Sequence, residues 1–241
     1  MCTLEKRGNL FLLTLTGHNE HRLNPTLIES IRTALEKVRT DAKPGSALIT
    51  TAEGKFFSNG FDLAYAQAEG SPTGFHNRLL GMSNSFKQIL ADLISLPIPT
   101  VAAVSGHAAA AGFIFALSHD YVVMSKARGF LYMSELDIGL TFADYFMAWM
   151  KSKISSSRVR RDVLLQSMKI KAEKAVEMGI IDSAYDNQEE TMKAALRLGE
   201  KLGSKKWNGE VYADIRKNTY SEISELLGLV KNYKSIVPAR L

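Results

Sequence analysis

The chain has 241 residues, which suits one core with an appended segment and is short for two ordinary domains. Apolar residues make up 46% and charged residues 23%, a globular mixture that argues against disorder. The net charge of +5 is mild and dispersed: it suits an anionic small ligand and supplies no basic arm for nucleic acid.

Cys2 is the lone cysteine, read at a frayed N-terminus. No internal disulfide is available, and a reducing compartment is expected. The segment MCTLEKRGN has no apolar run of the secretory-signal kind. Residues 9–16 (NLFLLTLT) form the first predicted strand. His18 and His21 follow in a polar loop and read as solvated. Neither they nor His76, His107 and His119 fall in an HExxH pattern, and no CxxC occurs, so no metal site is expected.

Asn24-Pro25 starts a helix, with Asn as N-cap and Pro in the first turn. Leu27, Ile31, Leu35 and Val38 recur at helical spacing within it. Residues 46–51 make a second strand, and a short segment at 56–58 leads into Asn59-Gly60-Phe61-Asp62-Leu63. Residues 70–74 read as a loop. Phe75, Leu79, Met82, Phe86, Leu90 and Leu93 then form the core-facing stripe of a long helix that Pro97 ends. A buried strand at 100–104, a small-residue turn, a helix at 112–118 and strands at 121–124 and 130–133 come next. The apolar stretch 98–117 is interrupted by Ser105-Gly106-His107, so it is not expected to span a membrane.

This alternation predicts an α/β fold with parallel strands joined by helical crossovers. Residues 1–152 form the expected core. Residues 153–241 read as almost wholly helical, with helices near 163–166, 172–178, 189–202 and 211–233, covering the core or packing on another subunit. Walker, dinucleotide-binding and GxSxG patterns do not occur, which removes the usual support for ATP, dinucleotide and hydrolase-elbow chemistry.

Two backbone corners carry the chemistry. At FSNGFDL, Gly60 permits a tight turn. At SGHAAAAGF, a strand runs through small residues into a helix start, where unpaired N–H groups can be approached closely. Two such donors meeting on one oxygen would stabilise an enolate or a tetrahedral oxyanion. Glu135, just past the strand at 130–133, could be held in an apolar pocket that makes it a usable base; a capping or surface role is the alternative.

LNP, FFSNGFDL, LPIPTVAAVSGHAAAAG, Asp120-Tyr121, SELDIG and LLQSMKIKAEKAVEMGIID occur in an order and spacing that resemble the crotonase, or enoyl-CoA hydratase/isomerase, superfamily. Within it the pattern is most similar to peroxisomal Δ3,Δ2-enoyl-CoA isomerases of the plant type. The resemblance implies a spiral of stacked ββα units with a C-terminal helical trimerisation region, a homotrimer, and an acyl-CoA thioester as substrate. Coenzyme A is then part of the substrate, and no separate cofactor is implied. It places the oxyanion donors at the N–H groups of Phe61 and Ala111, with Gly112 as neighbour if the register slips. Asn59, Gly60, Phe61, Asp62 and Leu63 would line the thioester and pantetheine.

A hydratase of this family uses two glutamates. The position of the first holds Ile114 here, and the second matches Glu135, leaving one carboxylate in an apolar pocket that includes Ile114 and Phe142. The resemblance thus implies a single-glutamate isomerase of fatty-acid β-oxidation. Asp144 is the backup acid. A 2-enoyl-CoA hydratase, a non-catalytic acyl-CoA-binding trimer and a thioesterase stay open as alternatives. Lys55, Arg78 and basic residues of the last helix are candidates for the CoA phosphates. Ala239-Arg240-Leu241 resembles the small-basic-leucine peroxisomal address and implies an import receptor as partner.

Overall fold

A computed structural model describes residues 1–17 and 20–229. The chain opens with two antiparallel strands, β1 (Cys2–Arg7) and β2 (Leu10–Leu15), registered Cys2 against Leu15. Cys2 therefore sits in a strand and not in a frayed end. The edge position of β1 leaves its Glu, Lys and Arg side chains in water, so it carries too little apolar signal to be read.

From β2 onward the chain winds as a spiral. Helix α1 (Pro25–Asp41) leads to β3 (Ala47–Ala52) and β4 (Phe56–Ser58), then α2 (Leu63–Gln67) and α3 (Pro72–Ile94). Strands β5 (Thr100–Val104) and β6 (His107–Ala109) precede α4 (Ala111–Leu117), and β7 (Tyr121–Ser125) and β8 (Leu131–Tyr132) close the series. Strands β1, β2, β3, β5 and β7 join a later edge strand, β9 (Ser183–Tyr185), in a six-stranded sheet of order β1-β2-β3-β5-β7-β9, and β4, β6 and β8 form a three-stranded sheet in that order. Each turn thus supplies a strand to both sheets before a helix returns it, the ββα spiral that the resemblance implies. Pairing past β2 is parallel in both sheets.

Local chemistry sets the helix starts. The Asn24 side chain accepts from Leu27 N–H at 3.0 Å, with Pro25 behind it. Ser71 accepts from Gly74 N–H at 3.0 Å, so α3 begins inside the stretch expected to be a loop. The turn expected at 107–109 is the strand β6, because pairing with β4 and β8 on either side holds these small residues extended.

Beyond residue 152 come α6 (Ser157–Leu165), α7 (Ala172–Glu177), β9 (Ser183–Tyr185), α8 (Gln188–Gly203), α9 (Gly209–Thr219) and α10 (Ser221–Leu226), preceded by α5 (Asp144–Lys153). The wholly helical reading misses β9, a three-residue edge strand on β7. The single helix expected at 211–233 breaks at Tyr220, and its last residues lie outside the described ones. Helices α1 and α3 cover one face of the large sheet, and α8 covers the other through Leu12, Ile49, Val101, Val123 and Ala195. Burial on both faces explains why β3 has no exposed position.

Two histidines are structural. His21, read as solvated, is buried with φ +47 and its Nδ1 is 2.8 Å from Phe56 O; His18 lies outside the described residues. His119 is fully buried between Phe115 O and the Thr50 hydroxyl, and burial pushes it down to about 4, so it is a neutral core group at pH 7.

Candidate active site

The first corner is built where β4 ends. Ser58 donates to His21 O at 2.8 Å, and Asn59 N–H donates to Glu20 O at 2.9 Å. The Asn59 amide is held by Glu20 Oε2 at 2.7 Å, and the Arg22 guanidinium pairs with the same oxygen at 2.6 Å. Gly60 takes φ +71; a Cβ there would meet Ala110 Cβ at 3.0 Å and sit 3.5 Å from Ala111 N. Leu23 N–H donates to Gly60 O and Asp62 N–H to Leu23 O, so the backbone on both sides of Phe61 is fixed while its own N–H has no acceptor among the described residues.

The second corner is the junction of β6 and α4. Ala110 holds φ +50 and ψ −124, a backbone state that costs a non-glycine residue about 1–3 kcal/mol. It is fixed by its N–H on Tyr132 O and by its carbonyl, which accepts from Phe113 and Ile114. The turn leaves the Ala111 N–H at the head of α4 without an acceptor among the described residues. Gly112 brings the corners together: a Cβ there would lie 2.3 Å from Ser58 O. We expect Gly112→Ala to destabilise the fold by about 1–3 kcal/mol. Gly81→Ala, in α3 with nothing within 4 Å, should do the reverse by about 0.5–1 kcal/mol. Thermal unfolding of the two variants checks the opposite signs, and equal shifts would refute the close approach.

Glu135 follows the buried Met133 and caps a 3-10 turn, Leu136–Ile138. It is 7% exposed, and its Oε2 has no hydrogen-bond partner among the described residues. Burial pushes its pKa up to about 7, only partly offset by the N–H groups of Glu135 and Ser134. Such a group can take a proton and return it near neutral pH.

The three pieces enclose one cavity of about 420 Å³. Asn59, Phe61, Leu63, Ala110 and Glu135 line it, and Glu135 is the one carboxylate among its lining residues. Gly60 and Ala111 are not among the lining residues; they lie where the two corners touch, a Gly60 Cβ falling 3.5 Å from Ala111 N. Other expected members lie elsewhere. The Asp62 carboxylate caps α2 through Tyr65 N–H. Gly112 is packed on Ser58, and Ile114, in the first turn of α4, is fully buried in the core instead of facing the cavity. Phe142 is half-buried and outside the lining, and Asp144 is exposed at the start of α5. Arg78 is paired with Glu69 and Tyr65 O, and Lys55 lies over the Phe56 ring.

The sequence reading missed Arg22 and the wall from α3 that holds His76, Leu79, Leu80 and Ser83. Their 3-1-3 spacing is one helix face, beside and overlapping the core stripe. A second cleft of about 500 Å³ runs along α9, but its charged lining residues, Asp120 and Arg216, are bound to each other.

A family model described as enoyl-CoA hydratase/isomerase matches residues 5–225. The chain is 60% identical over 230 residues to a protein of Arabidopsis thaliana named enoyl-CoA delta isomerase 2, peroxisomal, covering 95% of this chain and 96% of that one. It is 49% identical over 236 residues to enoyl-CoA delta isomerase 1, peroxisomal, of the same plant, covering 98% and 95%. Among solved structures, a probable enoyl-CoA hydratase from Mycobacterium tuberculosis matches with a TM-score of 0.83 at 20% identity, over 94% of this chain and 91% of that one, a likeness of fold alone.

Proposed function

The chain belongs to the enoyl-CoA hydratase/isomerase family, and from that premise we propose that it moves the double bond of a 3-enoyl-CoA to the trans-2 position. It is an isomerase of β-oxidation, and it works in the peroxisome, as the names of its relatives indicate for those proteins. Glu135 removes a proton from C2. The electron pair spreads through the dienolate to the thioester oxygen, which the N–H groups of Phe61 and Ala111 hold. Glu135 then delivers the proton to C4, and the double bond rests between C2 and C3. Oxyanion donors of this kind contribute about 3–4 kcal/mol each to the transition state.

The observation that carries this reading is the lone, buried carboxylate in a cavity with no second acid among the described residues that line it. Hydration needs a group to activate water and another to deliver the proton; isomerisation needs one group that does both in turn. The test is turnover of 3-hexenoyl-CoA against 2-hexenoyl-CoA, followed by the absorbance of the conjugated thioester. Absorbance should rise with the first and hold steady with the second; loss of the second at a comparable rate would make the protein a hydratase.

The C-terminal region packs on the core and on neighbouring subunits of a homotrimer. The exposed Trp207 just before α9 and Val211 and Ile215 on it support an interface between copies, and a monomer in solution would remove it. Ala239-Arg240-Leu241, outside the described residues, is the address read by the import receptor; a reporter ending in these residues that stayed cytosolic would reject it.

A further inference from the structure

We propose that Arg78 is a positioning residue: it clasps α2 to α3 and so keeps Leu63 in place as part of the cavity wall. This rests on the isomerase reading only in that the cavity is where the thioester binds. Helix α2 is five residues long, Ala66 is its one buried residue, and Ala64, Tyr65 and Gln67 are exposed. So short a helix with so little burial is not held by its own packing. Its near end is fixed, because the Asp62 carboxylate accepts from Tyr65 N–H and Asp62 N–H donates to Leu23 O. Arg78 fixes its far end.

The Arg78 guanidinium pairs with Glu69, donates to Tyr65 O at 2.9 Å and lies 4.7 Å from the centre of the Tyr65 ring. A half-exposed ion pair alone contributes little, but one planar group that makes three contacts gives up its side-chain freedom once for all of them. Helix α3 is built to receive it. Gly74, Arg78, Gly81 and Ser85 recur on one stripe and line a cleft with Tyr65 and Glu69, while His76, Leu79, Leu80 and Ser83 face the substrate cavity. A Cβ on Gly74 would collide with Glu69 Cγ, so the bare glycine is what lets Glu69 lie there. Arg78 is outside the lining of the substrate cavity, and a CoA phosphate would have to displace Glu69 to reach it. When the clasp opens, Leu63 leaves the wall and binding has to restore it. Apparent affinity then falls with the fraction of molecules whose wall is complete. Turnover of the bound complex is kept, because the backbone on both sides of Phe61 stays tied to Leu23.

The test compares Arg78→Ala, Arg78→Lys and Glu69→Gln with the wild type on 3-hexenoyl-CoA and on 3-hexenoyl-pantetheine, which keeps the arm and lacks every phosphate. Arg78→Ala should raise KM about fivefold or more for both thioesters and leave kcat within about twofold. Glu69→Gln should raise KM in the same direction, and Arg78→Lys should recover only part of the loss, since an ammonium keeps the charge but not the fork. Amides of residues 66–68 should exchange faster in Arg78→Ala while those of residues 82–92 keep the wild-type rate. A KM raised for the CoA ester alone, or lowered by Glu69→Gln, would make Arg78 a phosphate ligand and overturn the clasp. So would a fall in kcat at unchanged KM, kinetics that neither position moves, or exchange that quickens equally along α3. Should the wild type not turn over 3-hexenoyl-CoA, the isomerase reading fails by itself. Binding of hexanoyl-CoA and hexanoyl-pantetheine then decides the clasp: both weakened by Arg78→Ala supports it, and neither weakened rejects it.

Discussion

Glu135→Gln should reduce isomerisation by roughly 10³–10⁴-fold while acyl-CoA binding persists. The magnitude follows from removing the group that both takes and returns the proton, at the upper end of what general acid–base catalysis contributes. The amide keeps the size of the side chain, so the cavity keeps its shape. Asp144→Asn should keep the wild-type rate, because Asp144 is exposed outside the cavity. In the wild type, kcat/KM should rise as the pH passes about 7, where Glu135 becomes a carboxylate able to accept a proton.

The same substitution should stabilise the protein at alkaline pH. The carboxyl of Glu135 ionises near 7 when folded against an ordinary 4.5. Between those values the folded chain holds a proton that the unfolded chain has released, so the group's contribution to stability is complete below 4.5 and lost as the pH rises through 7. Above 7 the buried carboxylate costs on the order of 3 kcal/mol relative to its protonated form. Glutamine removes that cost. The unfolding midpoint of the variant should exceed that of the wild type at pH 8, and the excess should shrink toward pH 4.5. A variant less stable than the wild type at pH 8 would contradict the burial of this carboxylate, and wild-type-like turnover would reject its catalytic role.

The parts of this molecule that could be read from its sequence are those whose burial writes a simple pattern. Strands β2, β3, β5 and β7 lie inside a sheet covered on both faces, and their apolar runs say so. The corners were legible because close approach demands small residues, and Gly60 and Gly112 stand where a Cβ would collide. Helix α5 was not, since Tyr145, Phe146, Ala148, Trp149 and Met150 are all buried and leave no clear polar face to set a period. The α3 wall of the cavity was hidden for a related reason. Leu79 serves the core stripe and the cavity at once, and periodicity cannot tell a neighbour side chain from a substrate. Ile114 shows the limit of carrying a position across a family: the spacing is kept, but the first turn of α4 commits that side chain to the core.

The largest loss of stability is expected at Arg216, far along the chain from the site. Its side chain is 4% exposed and forms a fork on Asp120, Nε to Oδ1 at 2.7 Å and Nη2 to Oδ2 at 2.6 Å. Its remaining N–H groups donate to Leu93 O, Ile94 O, Leu96 O and Ile98 O, carbonyls where α3 ends and the chain crosses to β5. Asp120 accepts in addition from Thr100 N–H and Tyr212 OH. Burial alone would push the Asp120 carboxyl up, but the Arg216 charge, its hydrogen bonds and the Thr100 amide outweigh that and hold it below its ordinary range. Arg216→Ala leaves a buried carboxylate without its counter-charge and takes a donor from four carbonyls at once. Breaking one side of such a pair costs about 3–5 kcal/mol, or roughly 6–20 °C in the unfolding midpoint for a chain of this size. Adding Asp120→Asn to Arg216→Ala should recover part of the loss, because the uncompensated charge is then gone. Additive losses in the double variant would show that the pair is not coupled. Because the same guanidinium ties α9 to the end of the helix that carries Leu79, Leu80 and Ser83, the single variant should also lose activity well below its new midpoint, through a cavity wall no longer held in place.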